Sequence, residues 1–344
     1  MAGTLICRHV GDAYLRLLAE LRTRGSKAPA VTDPMSAASG FGLRNRPAVE
    51  LLGMQVEIPT GRSGLISSRP VPLNVGYAFG LLAWTLDGRN DVASIDYYRR
   101  GTQDFSDDGE TLSGAFGARL FRSRAGNQMD AVINRLRHDP GSRRAFAAIL
   151  EPSDNFVESR EYPCAIGVQM FARADNLHVI SYMRAQQALT VFSYDVFLFT
   201  ALQQFAAAEL GVGSGRYVHT MGTSHYYAEE EELVDAVLAE GVSVALLPHV
   251  PLNRGAQVAA EIVRVERQVR IAAQEGDEAT LAKLSAESTD MEWVERARAV
   301  YLKQALYRLG VGSPPRLEDV GHAGDHILAR RTLSSPREER NDES

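Results

Sequence analysis

Cys164 follows Pro163 directly in "REYPCAIGVQ" and stands at the mouth of an apolar, strand-like run. Arg184 comes one strand later, the pair Arg143 and Arg144 lies upstream, and Asp195 falls early in the apolar stretch "FSYDVFLFTALQQFAAAELG". A cysteine attacks as its thiolate, which forms where positive charge lies close by. Arginine is the usual bidentate partner of phosphate, and a carboxylate can read the hydrogen-bonding edge of a base. These residue types suit thiolate addition to C6 of a pyrimidine nucleotide. The addition turns the poorly nucleophilic C5 into an enamine- or enolate-like carbon able to attack a one-carbon electrophile, while arginines hold the phosphate. Each residue also has a plain structural reading. A lone cysteine in an apolar segment is more often inert core, an arginine pair is usually solvated, and an aspartate at a helix start answers the helix dipole.

Such residues need strands and a buried helix to bring them together. Ala13, Leu15, Leu17, Leu18 and Leu21 recur at helical spacing, which predicts an N-terminal helix in place of a signal peptide. "GSKAPAVTDPMSAASGFG" is a loop rich in turn formers, and "AVELLGMQVEI" predicts a long strand or a strand pair. "NVGYAFGLLAWTLDG" predicts an apolar helix ended by Gly88, whereas "SIDYYRRGTQDFSDDGETLSGAFGARLF" reads mostly as loop. "NQMDAVINRLRHDPGSRRAFAAIL" predicts a helix, a Pro-Gly turn and a strand, and "AIGVQMFARADNLHVISYMRAQ" a hairpin around an Asp-Asn turn. The stretch from Phe192 is too apolar for a surface helix and is closed by Gly211. "SGRYVHTMGTSHYY" predicts a strand leading into the acidic helix "AEEEELVDAVLAEG", and amphipathic helices rich in alanine, glutamate and arginine follow from about residue 255.

The pattern predicts an α+β fold: an antiparallel or mixed sheet, a buried central helix and a helical C-terminal extension. We expect a catalytic domain over residues 1–250, the helical extension over 251–330, and a tail over 331–344 too polar to order. At 344 residues, with 45% hydrophobic and 23% charged residues, the chain can bury a substantial core. Cys7 and Cys164 are too few for a disulfide framework or a zinc site, so a reducing, cytoplasmic setting is expected. No stretch approaches the length of a membrane span, and a net charge of −6 argues against general nucleic-acid binding.

Several segments resemble the thymidylate synthase superfamily, in order and spacing, from roughly residue 10 to 240. "YPCAIGVQ" is similar to its Pro-Cys-His segment with a downstream glutamine, and "SYMRAQQ…FSYD" to its Gln-Arg-Ser followed by Asn. "RYVHTMGTSHYY" is similar to Val-His-Thr-x-Gly-Asp-x-His-x-Tyr, with His219, Gly222, His225 and Tyr227 in register. "DPGSRRAFAAIL", "WTLDGRND" and "SGAFGARL" resemble three further family segments. The resemblance implies a thymidylate synthase-like mixed sheet, a homodimer and a pyrimidine nucleoside monophosphate as substrate. It implies Cys164 as the nucleophile, and Arg184 with Arg143 and Arg144, reaching across the dimer, as the phosphate clamp. Arg44 or Arg46 completes that clamp, Gln169 lies near the nucleotide, and His225 with Tyr227 meets the sugar hydroxyls.

Asp195 falls where thymidylate synthases place an asparagine that pairs with uracil. An ionised aspartate there accepts from the cytosine amino group but meets uracil O4 with a repulsive acceptor, a mismatch of roughly 1–3 kcal/mol. Aspartate at this place and Ala185 after the clamp arginine are similar to the cytidylate hydroxymethylase branch, found in antibiotic nucleoside biosynthesis, so CMP or dCMP is the implied substrate. The implied one-carbon donor is 5,10-methylenetetrahydrofolate. Four departures bear on that donor: Leu81 for a glutamate, Phe116 for a tyrosine, Ala165 for a histidine and Gln187 for a folate-binding aspartate. A folate-independent C5 or C6 modification, and a catalytically reduced nucleotide-binding homologue, stand as the alternatives.

Overall fold

A computed structural model describes residues 3–30 and 46–320, together with the backbone of a strand at His326–Ala329. Its frame is a seven-stranded mixed sheet. The strands are β1 (Thr4–Ile6), β2 (Ser26–Ala28), β3 (Ala48–Ile58), β5 (Phe146–Ala148), β6 (Ala165–Arg173), β7 (Asn176–Gln187) and β8 (Gly213–Tyr227). In space they run β1-β3-β8-β7-β6-β5, with β2 also paired to β3. A second, three-stranded sheet is formed by β4 (Gly64–Ser67), β9 (Val242–Leu246) and β10 (His326–Ala329).

The helices are α1 (Val10–Arg24), α2 (Val75–Leu86), α3 (Val92–Asp96), α4 (Phe116–Phe121), α5 (Gln128–His138), α6 (Phe192–Glu209), α7 (Glu231–Glu240), α8 (Gly255–Glu275), α9 (Glu278–Ala286) and α10 (Glu292–Arg308). The first helix buries Ala13, Leu17, Leu18 and Leu21, the face that its spacing predicts. The α6 helix is buried nearly all round, as its continuous apolar sequence requires. It connects β7 to β8, which pair in parallel, so it is the crossover helix that parallel neighbours need. Gly88 and Gly211, each with φ near +70°, let the chain leave α2 and α6 in the left-handed conformation.

Local reading leaves one choice open and parts from the structure at two places. "AVELLGMQVEI" is one strand, paired along β8 from Ala48–Tyr227 to Ile58–Tyr217 with a break at Gly53, whose φ is +70°. The hairpin turn carries its positive φ at Ala174 and Asp175, and Asn176 already pairs with Arg173, so the turn sits one residue earlier than the Asp-Asn dipeptide suggests. The segment expected to be mostly loop contains α3 and α4. Asp91 caps α3 by accepting from the Ser94 backbone N–H, and Gly117 lets α4 lie against the Thr85 backbone of α2. That second contact is tertiary, and residue spacing does not encode it.

The C-terminal helices join the main core. Trp293 of α10 packs on Phe79 of α2 and on Phe197 and Phe205 of α6, and its indole N–H donates to the Pro248 carbonyl. Tyr301 donates to the Phe79 carbonyl. The polar tail expected over 331–344 and Arg44 lie outside the described residues.

Candidate active site

Pro163 and Cys164 lead into β6, and Arg184 near the end of β7 meets them across the ladder. The Arg184 backbone N–H donates to the Cys164 carbonyl at 2.8 Å, while its guanidinium donates to the Pro163 and Tyr162 carbonyls at 2.9 and 3.1 Å. The same guanidinium lies 4.0 Å from Cys164 Sγ and over the Tyr162 ring. One arginine therefore fixes the cysteine loop and supplies charge beside the thiol. A Cβ at position 222 would stand 2.8 Å from the Arg184 carbonyl oxygen, so Gly222 permits β8 to run this close behind the site.

Cys164, Arg184 and Asp195 line one cavity of about 590 Å³. Burial pushes the Cys164 thiol above its ordinary value, Arg184 opposes this, and the carboxyls of Asp195 and Glu161 reinforce it. The sequence leads one to expect a depressed thiol, and burial reverses that expectation. Cys7, by contrast, is wholly buried, donates to the Leu5 carbonyl, and is pushed up to about 12 by its burial.

Asp195 is in the first turn of α6 and also faces the cavity, so its helix-start position and its place in the site coexist. Burial raises its carboxyl to about 7, partly opposed by a hydrogen bond from Gln186 Nε2 at 2.9 Å. Gln186 Oε1 accepts in turn from His219 Nε2 at 2.8 Å, and His219 Nδ1 meets the hydroxyls of Ser181 and Tyr217, each at 2.8 Å. His219 is completely buried and held neutral, lowered to about 3 by desolvation. Asp195 is thus the cavity end of a buried polar relay, a feature its sequence position alone does not reveal.

The remaining expected residues divide by place. Arg46 stacks on the Tyr227 ring at 3.7 Å and pairs with Glu229, while Tyr227 meets His225 edge to face. The titration of His225 feels Arg184 and that of Tyr227 feels Cys164, so this cluster adjoins the cysteine. Burial lowers His225 to about 4. Ala185 pairs with Thr223 on β8. Arg143 and Arg144 are exposed and do not line the cavity of their own chain. Gln169 is not in the cavity either: it donates to the Arg143 carbonyl and accepts from the Tyr182 hydroxyl.

Leu81 and Phe116 do line the cavity, which gives that wall an apolar character. Trp84, Phe105 and the edge-to-face pair Tyr77 and Tyr194 continue it. Such aromatic walls suit a flat ring such as that of a reduced folate. Gln187 is committed elsewhere, with its amide oxygen accepting from Thr190 and Val191 and its NH₂ donating to Glu230. Glu161, which sequence reasoning passed over, also lines the cavity; its only signal was an acidic residue three places before the cysteine.

A mixed sheet wrapped around a buried crossover helix, with a cysteine beside an arginine at the ends of two neighbouring inner strands, defines the class. The thymidylate synthase family profile matches residues 14–269, and the chain belongs to that family. Among its relatives, a deoxyuridylate hydroxymethyltransferase of Bacillus phage SP01 is 29% identical over 160 residues, 43% of this chain and 42% of that protein. The enzyme of the same name from Delftia phage PhiW-14 is 27% identical over 168 residues, 45% of this chain and 46% of that protein. Thymidylate synthase 1 of Bacillus spizizenii is 21% identical over 186 residues, covering 52% and 66%. The chain thus spans less than half the length of the phage relatives it matches.

Proposed function

We propose that the protein is a pyrimidine nucleotide C5-hydroxymethyltransferase acting on CMP or dCMP. The observation that carries this reading is the meeting of Cys164, Arg184 and Asp195 in one cavity. Cys164 Sγ adds to C6, and Arg184 steadies the negative charge on sulfur before attack. Asp195 meets the base edge. With Oδ2 held by Gln186, a carboxyl near neutrality accepts from the cytosine amino group and, when protonated, donates to N3. Methylenetetrahydrofolate, when bound, would supply a carbon at the oxidation level of formaldehyde, with Trp84, Phe105 and Phe116 holding its ring by stacking, and a water would add to that carbon to give the hydroxymethyl group.

The phosphate falls to Arg184, with Arg44 or Arg46 from the same chain and Arg143 and Arg144 from a second copy. Phe146, two residues past that arginine pair, and Ile166 on β6 are exposed apolar side chains, which suits a face covered in a homodimer. Mixing Cys164→Ser with Arg143→Ala subunits should then restore activity in hybrids that contain one intact site. Verified hybrids without activity would place Arg143 in its own subunit's site, or outside the site.

The phage relatives are named for deoxyuridylate, so a uridine nucleotide is the competing substrate. The deciding experiment follows tritium release from [5-³H]CMP, -dCMP and -dUMP, with and without methylenetetrahydrofolate. Release from the cytidine nucleotides with folate supports the proposal, and release from dUMP alone supports the competitor. Release without folate points to a folate-independent modification. Nucleotide binding without any release would leave a catalytically reduced binding protein.

A further inference from the structure

Thiolate addition to C6 leaves a proton to be delivered to, or removed from, C5, so the cavity must hold a group that can carry it. Asp195 is engaged with Gln186 and assigned to the base edge, and positions 81 and 116 are occupied by Leu81 and Phe116. The other carboxyl lining the cavity is Glu161, three residues before the nucleophile. Its Oε2 accepts from the Gly114 backbone N–H at 2.6 Å, and Oε1 has no hydrogen-bond partner among the described residues. Gly114 is fitted to it: a Cβ there would stand 3.0 Å from the Glu161 carboxyl carbon and 2.9 Å from the Pro163 nitrogen. The chain around Glu161 is tied down as well, since Ser159 and Ser113 both donate to its carbonyl.

We propose that Glu161 is the acid–base residue of this site and exchanges the proton at pyrimidine C5. The inference rests on the reading given under Proposed function. Cys164 Sγ bonds to C6, and the electron pair of the C5=C6 bond moves to C5. The Glu161 carboxylic acid gives its proton to C5. The resulting carboxylate then removes the hydrogen that C5 originally carried, the pair re-forms C5=C6, the S–C6 bond breaks, and the thiolate is restored. When C5 instead acquires a one-carbon unit, the same carboxylate takes the proton that C5 gives up. Burial raises Glu161 to about 7, where acid and base forms coexist near neutrality, against the Gly114 hydrogen bond and Arg119, with Asp107 reinforcing the rise. Cys164 and Tyr77 also feel its charge, and Arg99, Arg160, Arg184 and Asp195 line the same cavity. Arg119 is itself paired with Asp154.

The test compares tritium release from [5-³H]nucleotide, in both folate arms, for the wild type, Glu161→Gln and Glu161→Asp, alongside nucleotide affinity by calorimetry. Glutamine is isosteric and its amide oxygen still accepts from Gly114, so the loop is preserved while proton transfer is lost. Release should fall at least about 100-fold in Glu161→Gln with affinity kept within about threefold, and Glu161→Asp should recover part of it. In the folate arm, where the carboxylate takes the C5 proton, wild-type release should drop as pH falls through about 7, and this limb should persist in Asp195→Asn. Wild-type release by Glu161→Gln overturns the assignment, as does a loss of release and affinity together in both variants. A wild type that releases no tritium in either arm fails the nucleotide-modification reading itself, a result distinct from failure of Glu161.

Discussion

Asp195 and Glu161 stand in walls of the same cavity, and burial raises both to about 7, yet their settings differ. Asp195 sits on the first turn of a buried helix and is held by a side-chain relay through Gln186 to His219. Glu161 sits on a loop and is held by one backbone N–H, with no hydrogen-bond partner for its other oxygen among the described residues. Asp195 is held by an amide that is itself fixed by a histidine on the neighbouring strand, which suits reading a ligand's edge, because the orientation is set before the ligand arrives. Glu161, held by a loop backbone N–H with no such side-chain relay behind it, is suited to carrying a proton. Equal pKa values therefore do not imply equal roles; the hydrogen-bond partners separate them.

That contrast can be broken by removing what both walls serve. Cys164→Ser should lower turnover by at least about 1,000-fold while nucleotide affinity changes by only several-fold, because the arginines carry binding. Steady-state kinetics with calorimetry on the same preparation decides this, and retained full activity would remove the covalent route altogether.

A sharper cut falls on the reading wall alone. Asp195→Asn should swing the CMP-to-UMP affinity ratio toward UMP by about 10- to 100-fold, since an amide offers its NH₂ to O4 and its carbonyl to N3–H. Phosphate affinity should persist. An unchanged ratio would reduce Asp195 to a helix-start residue.

The relay also predicts a pH signature of stability. The Asp195 carboxyl moves from an ordinary 3.8 to about 7 on folding, so between these values the native state holds a proton that the unfolded chain has released. Its contribution to stability therefore falls as pH rises across that window, at up to about 1.4 kcal/mol per unit. His219 acts in the opposite sense. Lowered from 6.5 to about 3, it costs stability as pH drops below 6.5, and the two effects oppose each other where their windows overlap. Replacing Asp195 by asparagine removes only the first effect. In denaturant titrations its stability relative to wild type should rise by a few kcal/mol between pH 4 and 7, and a pH-independent difference would contradict the assignment.

The smallest effect belongs to the other thiol. Cys7→Ser should leave turnover and nucleotide affinity unchanged and lower the melting temperature slightly, because Cys7 is core and lies outside the cavity. Loss of activity with the fold intact would show that the site depends on the segment between β1 and α1.

Much of this architecture is legible in the chain. Continuous apolarity over Phe192–Glu209 has one solution in water, a helix buried on all sides, and the alternation along Asn176–Gln187 specifies a strand with a buried face. The motif around Cys164 and Arg184 is legible for a similar reason, since strand ladders bring residues of fixed register together. Less legible are α3 and α4, short helices whose local signals are weak and whose packing on α2 supplies what propensity lacks.

By itself, the sequence determined which chemical groups the protein owns and on which kind of element each sits: a cysteine after a proline, an arginine on the adjacent strand, an aspartate in a buried helix. Only the tertiary structure decided what those groups face. It raised the Cys164 thiol, joined Asp195 to a histidine through Gln186, committed Gln187 to a neighbouring loop, and placed Glu161 in the cavity while leaving Arg143 and Arg144 exposed. Residue type and periodicity act over a few neighbours along the chain. Burial and hydrogen-bond partnership are set by strand register and helix packing between residues far apart in sequence, and those two decide protonation and role.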